Sequence, residues 1–312
     1  MTVGIAVIGA GLTGLTCANE LAQSGYAPVV LDKGRGIGGR LATRRVGNGF
    51  QFDHGAQYLS AKSAEFAAFL EERTQNGALE TWSGGSDKAH FVGVPAMRSL
   101  ATSLVNGLEI RSAMEVSGIR INRNAVDVTV SGDLLSFDHV ILTIPAPQVP
   151  PLIGTDHPLS KRVAGVAMTP NLTLMAGFAA RDAGPFLTRR DPQADLAWIA
   201  RDDSKPGRGD HACWVAQASL DWSIANLEGS KEDIAAKMLP LLCACIGREQ
   251  EDVAYVAGHR WRYAQASNPL GAPCLTDETG RLHIGGDWCL GARAEHAWQS
   301  GRALAASLLA RI

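Results

Sequence analysis

The sequence predicts an α/β protein in which a doubly wound parallel-sheet domain is interleaved with a second domain built on an antiparallel sheet. The first forty residues alternate short apolar runs with a helical pattern, as a βαβ unit does. Strand-like runs with one intervening helix then fill residues 172–263, which favours an antiparallel sheet. Apolar strands return at residues 137–145 and 281–288, and we expect them to rejoin the first sheet.

The N-terminal segment carries a glycine-rich turn between a strand and a helix. Residues 3–8 form an apolar run, Gly9, Gly11 and Gly14 follow with the spacing G-x-G-x-x-G, and Asp32 closes the next apolar run. In this pattern the first glycine permits a tight turn, the second lets a pyrophosphate approach the main chain, and the third allows close helix packing. The carboxylate after the second strand accepts hydrogen bonds from a ribose diol. The segment therefore predicts a Rossmann-like dinucleotide site.

The composition limits the classes of function. The chain has 312 residues and a formal net charge of −2, which argues against nonspecific nucleic-acid binding. Its early apolar run is too short for a membrane span or a signal peptide, so we expect a cytoplasmic protein without a membrane partner. The six cysteines form no C-x-x-C pair and no metal-ligand spacing, so we expect free thiols and no metal.

Two further segments indicate which dinucleotide the chain binds. The stretch DKGRGIGGR (residues 32–40) and the stretch GGDWC…GARAEHAWQSG (residues 285–301) resemble the flavin amine oxidase superfamily. In that superfamily the arginine, here Arg40, meets the FAD pyrophosphate, and the aspartate, here Asp287, binds the ribityl hydroxyls. The last helix directs its N-terminus at the flavin, where its dipole stabilises negative charge.

The resemblance implies FAD as a non-covalent cofactor and a flavin amine oxidase-like fold. The expected cofactor-binding residues are Gly9, Gly11, Thr13, Gly14, Asp32, Lys33, Arg35, Gly39, Arg40, Gln57, Val116, Thr143, Asp287, Arg293 and Ala294. A proline-rich segment, residues 150–158, indicates a domain boundary. We expect an FAD-binding domain over residues 1–60, 93–155 and 275–312, and a substrate domain over residues 61–92 and 156–274.

A finer resemblance, to the renalase family, covers essentially the whole chain. It rests on the segments above and on DHGAQY (residues 53–58), TIPAPQ (143–148) and HRWRYA (259–264). Renalases are FAD oxidases of misreduced NAD(P)H isomers, in which the hydride sits at ring position 2 or 6. They return NAD(P)+ and reduce O2 to hydrogen peroxide. The resemblance therefore implies a dihydronicotinamide dinucleotide and O2 as the partners of this chain.

An aromatic strand provides candidate walls for the substrate pocket. Alternation places His259 and Trp261 on one face of the strand, and Arg260 and Arg262 on the other. With Tyr58, the two residues His259 and Trp261 are our candidate catalytic residues, because such a face stacks on a planar ring. The alternative is an edge strand with one packed face and one solvated face.

Two other functions stay open at this point. One is a different flavin amine oxidase or desaturase, and the other is a non-enzymatic FAD protein that senses redox state. No tyrosine lies between Asp287 and Ile312, whereas monoamine oxidases carry an aromatic-cage tyrosine near the start of the last helix. This departure argues against simple amines as substrates. Hydride transfer from a dihydronicotinamide removes no proton, so we expect no Ser/His/Asp-type constellation.

Overall fold

The computed structural model describes residues 3–47, 49–84, 90–179 and 183–312. The strands are, in chain order, β1 (Ile5–Ile8), β2 (Val29–Asp32), β3 (Thr43–Arg45), β4 (Gln51–Asp53), β5 (Leu79–Trp82), β6 (His90–Gly93), β7 (Glu109–Ser112), β8 (Val116–Ile121), β9 (Val126–Val130), β10 (Asp133–Phe137), β11 (His139–Leu142), β12 (Ala167–Phe178), β13 (Thr188–Arg190), β14 (Leu196–Arg201), β15 (Ala212–Ala218), β16 (Val253–Asn268), β17 (Leu275–Thr276) and β18 (Leu282–Ile284). The α-helices are α1 (Leu12–Gln23), α2 (Ala64–Gln75), α3 (Arg98–Thr102), α4 (Val149–Ile153), α5 (Pro158–Val163), α6 (Leu220–Ala225), α7 (Lys231–Ile246) and α8 (Ala294–Leu309).

The chain divides into two compact units, each built from separate stretches of sequence. The parallel-sheet unit comprises residues 1–39, 101–168 and 265–312, and the antiparallel-sheet unit comprises residues 40–100 and 169–264. The predicted boundaries differ from these: residues 40–60 and 93–100 fall in the antiparallel-sheet unit, and residues 156–168 and 265–274 fall in the parallel-sheet unit. The prolines of residues 150–158 mark no boundary, because they occupy the first turns of α4 and α5. Proline favours that position, where its missing N–H costs nothing.

The parallel-sheet unit is organised around six strands in the order β17-β18-β11-β1-β2-β7. The pairs β1–β2, β1–β11, β11–β18 and β2–β7 are parallel, and all four residues of β1 are buried. The carboxyl ends of these strands therefore lie along one edge, where open α/β sheets bind ligands. A three-stranded meander, β8 to β10, completes the unit.

Helices α1 and α8 of this unit pack closely because a glycine lies at their contact. A Cβ added to Gly301 of α8 would lie 2.5 Å from the carbonyl oxygen of Thr13 in α1. No side chain fits there without moving main chain, so Gly301 sets the distance between the two helices.

The antiparallel-sheet unit is organised around five strands in the order β13-β14-β15-β12-β16. One face of this sheet packs on α7, with Leu174 and Trp214 in a core that includes Met238. The other face packs on the β3–β4 hairpin, where Met175 joins Phe52 in a second core. This second face continues into the aromatic and polar residues that form the candidate substrate site.

The structure confirms the predicted α/β class, the antiparallel second sheet and the main helices. Ser63 caps α2 by accepting a hydrogen bond from the main-chain N–H of Phe66. The intervening helix predicted within residues 172–263 is α7, which begins with a capping box formed by Ser230 and Asp233. In the described parts of the chain, no helix combines the length and the apolar character needed to span a bilayer.

Candidate active site

The glycine turn after β1 has the geometry of a pyrophosphate site. Gly9 adopts φ 107°, a main-chain conformation that favours glycine. A Cβ added to Gly14 would lie 2.0 Å from the carbonyl oxygen of Gly9, so neither position accepts a side chain. A Cβ added to Gly11 meets no atom of the chain within 4 Å. Gly9 and Gly14 therefore shape the turn, whereas Gly11 leaves open space in front of the main chain. The hydroxyl of Thr143 lies 2.9 and 3.0 Å from the carbonyl oxygens of Ile8 and Gly9, which positions Thr143 beside the turn.

Two polar features stand beside this turn. The first turn of α1 leaves main-chain N–H groups without acceptors inside the helix, and Gly11, its N-cap, supplies no side chain to bind them. The carboxylate of Asp32 accepts hydrogen bonds from the N–H groups of Ala10 and Gly34, both at 2.6 Å. The carbonyl oxygen of Asp32 accepts from the N–H of Met114 at 2.9 Å, which brings the start of β8, with Val116, to the same edge. Phosphate and ribose groups find donors and acceptors here.

The C-terminal motif also reaches this unit. Gly286 donates its N–H to the hydroxyl of Ser300 at 3.0 Å, and Asp287 follows it with only 5% of its surface exposed. Helix α8 begins after Arg293, whose side chain makes no capping hydrogen bond and lies 3.8 Å from Glu295. The parallel-sheet unit therefore contains the N-terminus of α8 in addition to that of α1.

These residues fit FAD. The unit brings together most of the predicted cofactor contacts, and Lys33 and Arg35 lie exposed beside them. Two predicted contacts, Arg40 and Gln57, belong to the antiparallel-sheet unit. The open space at Gly11 and the unbonded N–H groups of α1 are what a pyrophosphate requires.

The segment of residues 53–58 is held tightly within the antiparallel-sheet unit. A Cβ added to Gly55 would lie 2.1 Å from the carbonyl oxygen of Arg40, which accepts the N–H of Ala56 at 2.8 Å. Arg40 in turn donates from its guanidinium to the carbonyl oxygen of Ala264 at 2.8 Å. The small residue at position 55 is thus required by the main chain of Arg40.

Three rings form a cluster at the start of this segment. His54 stacks on Trp261 with ring centroids 5.3 Å apart and meets the edge of His259 at 4.6 Å. The indole N–H of Trp261 donates to the carbonyl oxygen of His54 at 2.8 Å. On the opposite face of β16, Arg260 binds the carbonyl oxygen of Leu227 at 2.7 Å. The predicted alternation of β16 is therefore correct, and His259 and Trp261 share one face.

Both histidines of the cluster favour the neutral form. Burial, followed by the charge of Arg44, lowers the pKa of His54 to about 4. Burial lowers the pKa of His259 to about 3, with further contributions from His54, Lys231 and Arg44. Among the described residues, neither buried Nδ1 atom has a hydrogen-bond partner. The cluster therefore presents aromatic and uncharged surface at neutral pH.

A second ring cluster lies at the other end of the segment. Tyr58 stacks on His90 with centroids 3.8 Å apart and meets Trp198 at 5.7 Å. Gln217 of β15 donates from its amide to the carbonyl oxygen of Gly55 at 2.8 Å. Sequence reasoning missed His90, Trp198 and Gln217. The position of Trp198 within an apolar, strand-like run was the only sequence signal for this residue. Tyr58 becomes its neighbour only when the chain folds.

A buried ion cluster underlies the segment and was also missed. It consists of Asp53, Asp202, Lys205 and Arg208, whose side chains are at most 2% exposed. The Lys205 ammonium lies 2.5 Å from Asp202 and 3.3 Å from Asp53, and Arg208 lies 2.5 Å from Asp53. Burial alone would raise the pKa of Asp53. The charges of Lys205 and Arg208 and the hydrogen bond from the Thr43 hydroxyl nevertheless hold this pKa below its usual value.

The side chain of Gln57 belongs to this interior network. Its amide nitrogen donates to the carbonyl oxygens of Asp53 and Gly55, and its oxygen accepts from Lys205 at 3.4 Å. The side-chain amide is therefore engaged inside the unit. A contact of Gln57 with the cofactor remains a prediction that its main chain would have to satisfy.

Comparisons with known proteins agree with this architecture. The family model described as flavin-containing amine oxidoreductase matches residues 63–309, and that of the NAD(P)-binding Rossmann-like domain matches residues 7–73. The chain belongs to the flavin-containing amine oxidoreductase family. It is an FAD-dependent oxidoreductase, which removes the alternative of a non-enzymatic FAD protein.

One relative of this chain is renalase from Mus musculus. The two are 28% identical over 295 residues, which cover 85% of this chain and 86% of the mouse protein. The predicted resemblance to renalases is thereby confirmed. A 4,4'-diapophytoene desaturase from Staphylococcus haemolyticus is 37% identical over 67 residues, or 22% of this chain and 13% of the desaturase.

Solved structures share the fold over the full length of both chains. Putrescine oxidase with bound putrescine matches with a TM-score of 0.72 at 13% identity. A protein from Exiguobacterium sp. assigned as a protoporphyrinogen oxidase matches with a TM-score of 0.77, also at 13% identity. At this identity the likeness shows the fold alone.

Cys289 lies next to the flavin motif but is a poor nucleophile. Cys289 is fully buried, and this burial is the main reason why the pKa of its thiol is raised to about 12. The thiol is therefore protonated at neutral pH, whereas covalent attachment to the flavin would require the thiolate. This supports the prediction of a non-covalent flavin.

Proposed function

We propose that this chain is an FAD oxidase of dihydronicotinamide dinucleotides in which the hydride sits at ring position 2 or 6. The observation that carries the proposal is the cluster of His54, His259 and Trp261, three adjacent aromatic rings without charge at neutral pH, of the kind that packs against a planar ring. The similarity to mouse renalase over 85% of the chain supports the same substrate class.

The residues of the chain would act by positioning. Trp261 is fixed by its hydrogen bond to His54, so the indole plane is held in one orientation. Loss of a hydride turns the substrate into an aromatic pyridinium, and the protein has no proton to remove. Two histidines that stay neutral above pH 5 add no positive charge beside the forming cation. Bound FAD would supply the hydride acceptor, and its reoxidation by O2 would give hydrogen peroxide from two electrons and two protons, one from the transferred hydride and one from solvent.

The test is anaerobic mixing of the purified flavoprotein with the 2- and 6-dihydro isomers of NAD(P). Ordinary NAD(P)H, putrescine and a monoamine serve as parallel substrates, and free FAD controls for non-enzymatic reduction. We expect the visible flavin absorbance to bleach rapidly with the isomers alone, and NAD(P)+ and hydrogen peroxide to form when O2 is admitted. Bleaching by an amine, or by none of the compounds, would contradict the proposal while leaving the FAD site in place.

A further inference from the structure

One arginine of the antiparallel-sheet unit stands apart from the others. Arg44 is half-buried, yet none of the described residues gives it a hydrogen bond or an ion pair. Every other half-buried arginine described in this unit has an acceptor or an aromatic ring: Arg40, Arg73, Arg201, Arg208, Arg248 and Arg260. No nitrogen of Arg44 is among the buried atoms that lack a partner, so its guanidinium keeps its charge accessible and is available to receive an anion.

The register of the β3–β4 hairpin places Arg44 on the substrate side. Thr43 and Asp53 are paired across the hairpin, and their hydrogen bond of 2.6 Å belongs to the face of the buried ion cluster. Arg44 pairs with Phe52, so both point to the opposite face. Phe52 stacks on Tyr255 of β16 at 5.4 Å, and His54 follows two residues later. Arg44 therefore lies on the face that carries the His54–His259–Trp261 cluster.

The local electrostatics agree with this placement. The charge of Arg44 acts on both histidines of the cluster and disfavours their protonated forms, as does Lys231 at the start of α7 for His259. The cluster is thus neutral but stands in a positive field. Such a field attracts a phosphate and repels a protonated amine.

We propose that Arg44 binds a phosphate of the substrate and so selects nucleotides over compounds that carry the same ring without a phosphate. The inference rests on the proposed function and deepens it by naming the residue that recognises the phosphate. A guanidinium presents two parallel N–H groups to phosphate oxygens, which a lysine cannot do. The phosphate nearest the ring, on the 5′ carbon of the nicotinamide ribose, is the group to be recognised.

The experiment compares two substrates that differ only in that phosphate. The 2- and 6-dihydro isomers of nicotinamide mononucleotide and of nicotinamide riboside are mixed anaerobically with the holoenzyme, and flavin bleaching gives Kd and the limiting rate. Perturbation of the flavin spectrum by oxidised nicotinamide mononucleotide gives a second Kd without turnover. We expect the wild type to bind the mononucleotide about 10- to 100-fold more tightly than the riboside, as for a charge-assisted hydrogen bond.

The variant Arg44→Gln should abolish this preference and leave the riboside Kd unchanged, and Arg44→Lys should restore part of it. The neighbouring Arg45→Gln is the matched control, since Arg45 is exposed and bonded to Gln51 at 3.2 Å. Equal weakening of both ligands by Arg44→Gln, or loss of FAD from that variant, would overturn the inference. So would a wild type that bleaches equally well with both compounds, although the proposed function would then stand. If no isomer bleaches the wild type, the proposed function fails and the inference fails with it.

Discussion

The glycine turn of the parallel-sheet unit and the 53–58 segment of the antiparallel-sheet unit offer different groups to a ligand. At the turn, these groups are main-chain N–H groups and open space at Gly11. Around the 53–58 segment they are side chains: the ring of His54 with that of Trp261 from β16, supported by the buried ion cluster that includes Asp53. The first candidate site depends on the absence of side chains and the second on their presence.

The difference explains why the cofactor is better defined than the substrate. Main-chain sites tolerate few substitutions, because a Cβ at Gly14 would collide with main chain. Side-chain sites change their chemistry with single substitutions while keeping the fold. A site of the second kind can therefore change the compound that it receives while the glycine turn stays the same.

The largest effect is expected at the glycine turn. Gly14→Ala forces a methyl to 2.0 Å from a carbonyl oxygen, so it should cost about 4 kcal/mol or more and abolish FAD retention. Gly11→Ala should leave the stability of the FAD-free protein within about 1 kcal/mol, because its Cβ meets no atom of the chain, yet it should still lose FAD. Urea unfolding of the FAD-free proteins and the flavin-to-protein absorbance ratio provide the measurements. Full FAD occupancy in Gly11→Ala would show that the pyrophosphate does not approach there.

The buried ion cluster should give the next largest effect. Lys205→Met leaves Asp202 without its close cation, so unfolding should become about 3–5 kcal/mol easier. Adding Asp202→Asn should recover part of the loss, because the unpaired charge is then removed. Glu228→Gln, which breaks an exposed pair with Arg262, should leave the urea midpoint unchanged. A Lys205→Met protein as stable as the wild type would mean that the cluster contributes little to holding the segment.

Trp261→Ala should slow flavin reduction by the dihydro isomers about 10- to 100-fold, because the ring loses its stacking surface and its orientation. Trp261→Phe keeps an aromatic surface but loses the hydrogen bond to His54, so we expect an intermediate rate. FAD content should be unchanged in both. Stopped-flow absorbance measures the rate, and an unaltered rate in the alanine variant would remove Trp261 from the site.

The effect that is smallest at neutral pH is a pH dependence to which one histidine of each unit contributes. His54 and His283 both have pKa values lowered to about 4, chiefly by burial, whereas unfolded histidine titrates near 6.5. Between these values the unfolded chain binds protons that the native chain does not. The free energy of unfolding is therefore highest above pH 6.5. It falls towards pH 4 by about 1.4 kcal/mol per pH unit for each histidine.

Urea unfolding of His54→Phe and His283→Gln between pH 4.5 and 6.5 checks this expectation. In each variant, the slope of the free energy of unfolding against pH should be smaller than in the wild type by the contribution of about one proton. Only His54→Phe should change flavin reduction, because His54 belongs to the aromatic cluster whereas the His283 ring is bonded to Thr276 and Gly280. Slopes equal to that of the wild type would show that these histidines protonate normally in the native state.

Some predictions succeeded because their signals are local. The glycine spacing, the apolar strands and the cap of α2 depend on neighbours within a few residues. The expected boundary at residues 150–158 was misplaced because prolines that start helices resemble prolines that separate domains. The ion cluster had no sequence signal, since Asp53 and Lys205 stand in unrelated stretches of the chain.

The sequence by itself determined the α/β class, FAD as the cofactor and the face of β16 that carries His259 and Trp261. It could do so because periodicity and glycine spacing act through main-chain geometry. Only the tertiary structure decided that Gln57 turns its amide inward, that His90 and Trp198 flank Tyr58, and that Arg44 lacks an acceptor among the described residues. Each of these depends on which distant side chains become neighbours and lose water together, because burial and pairing set the energy of a polar group.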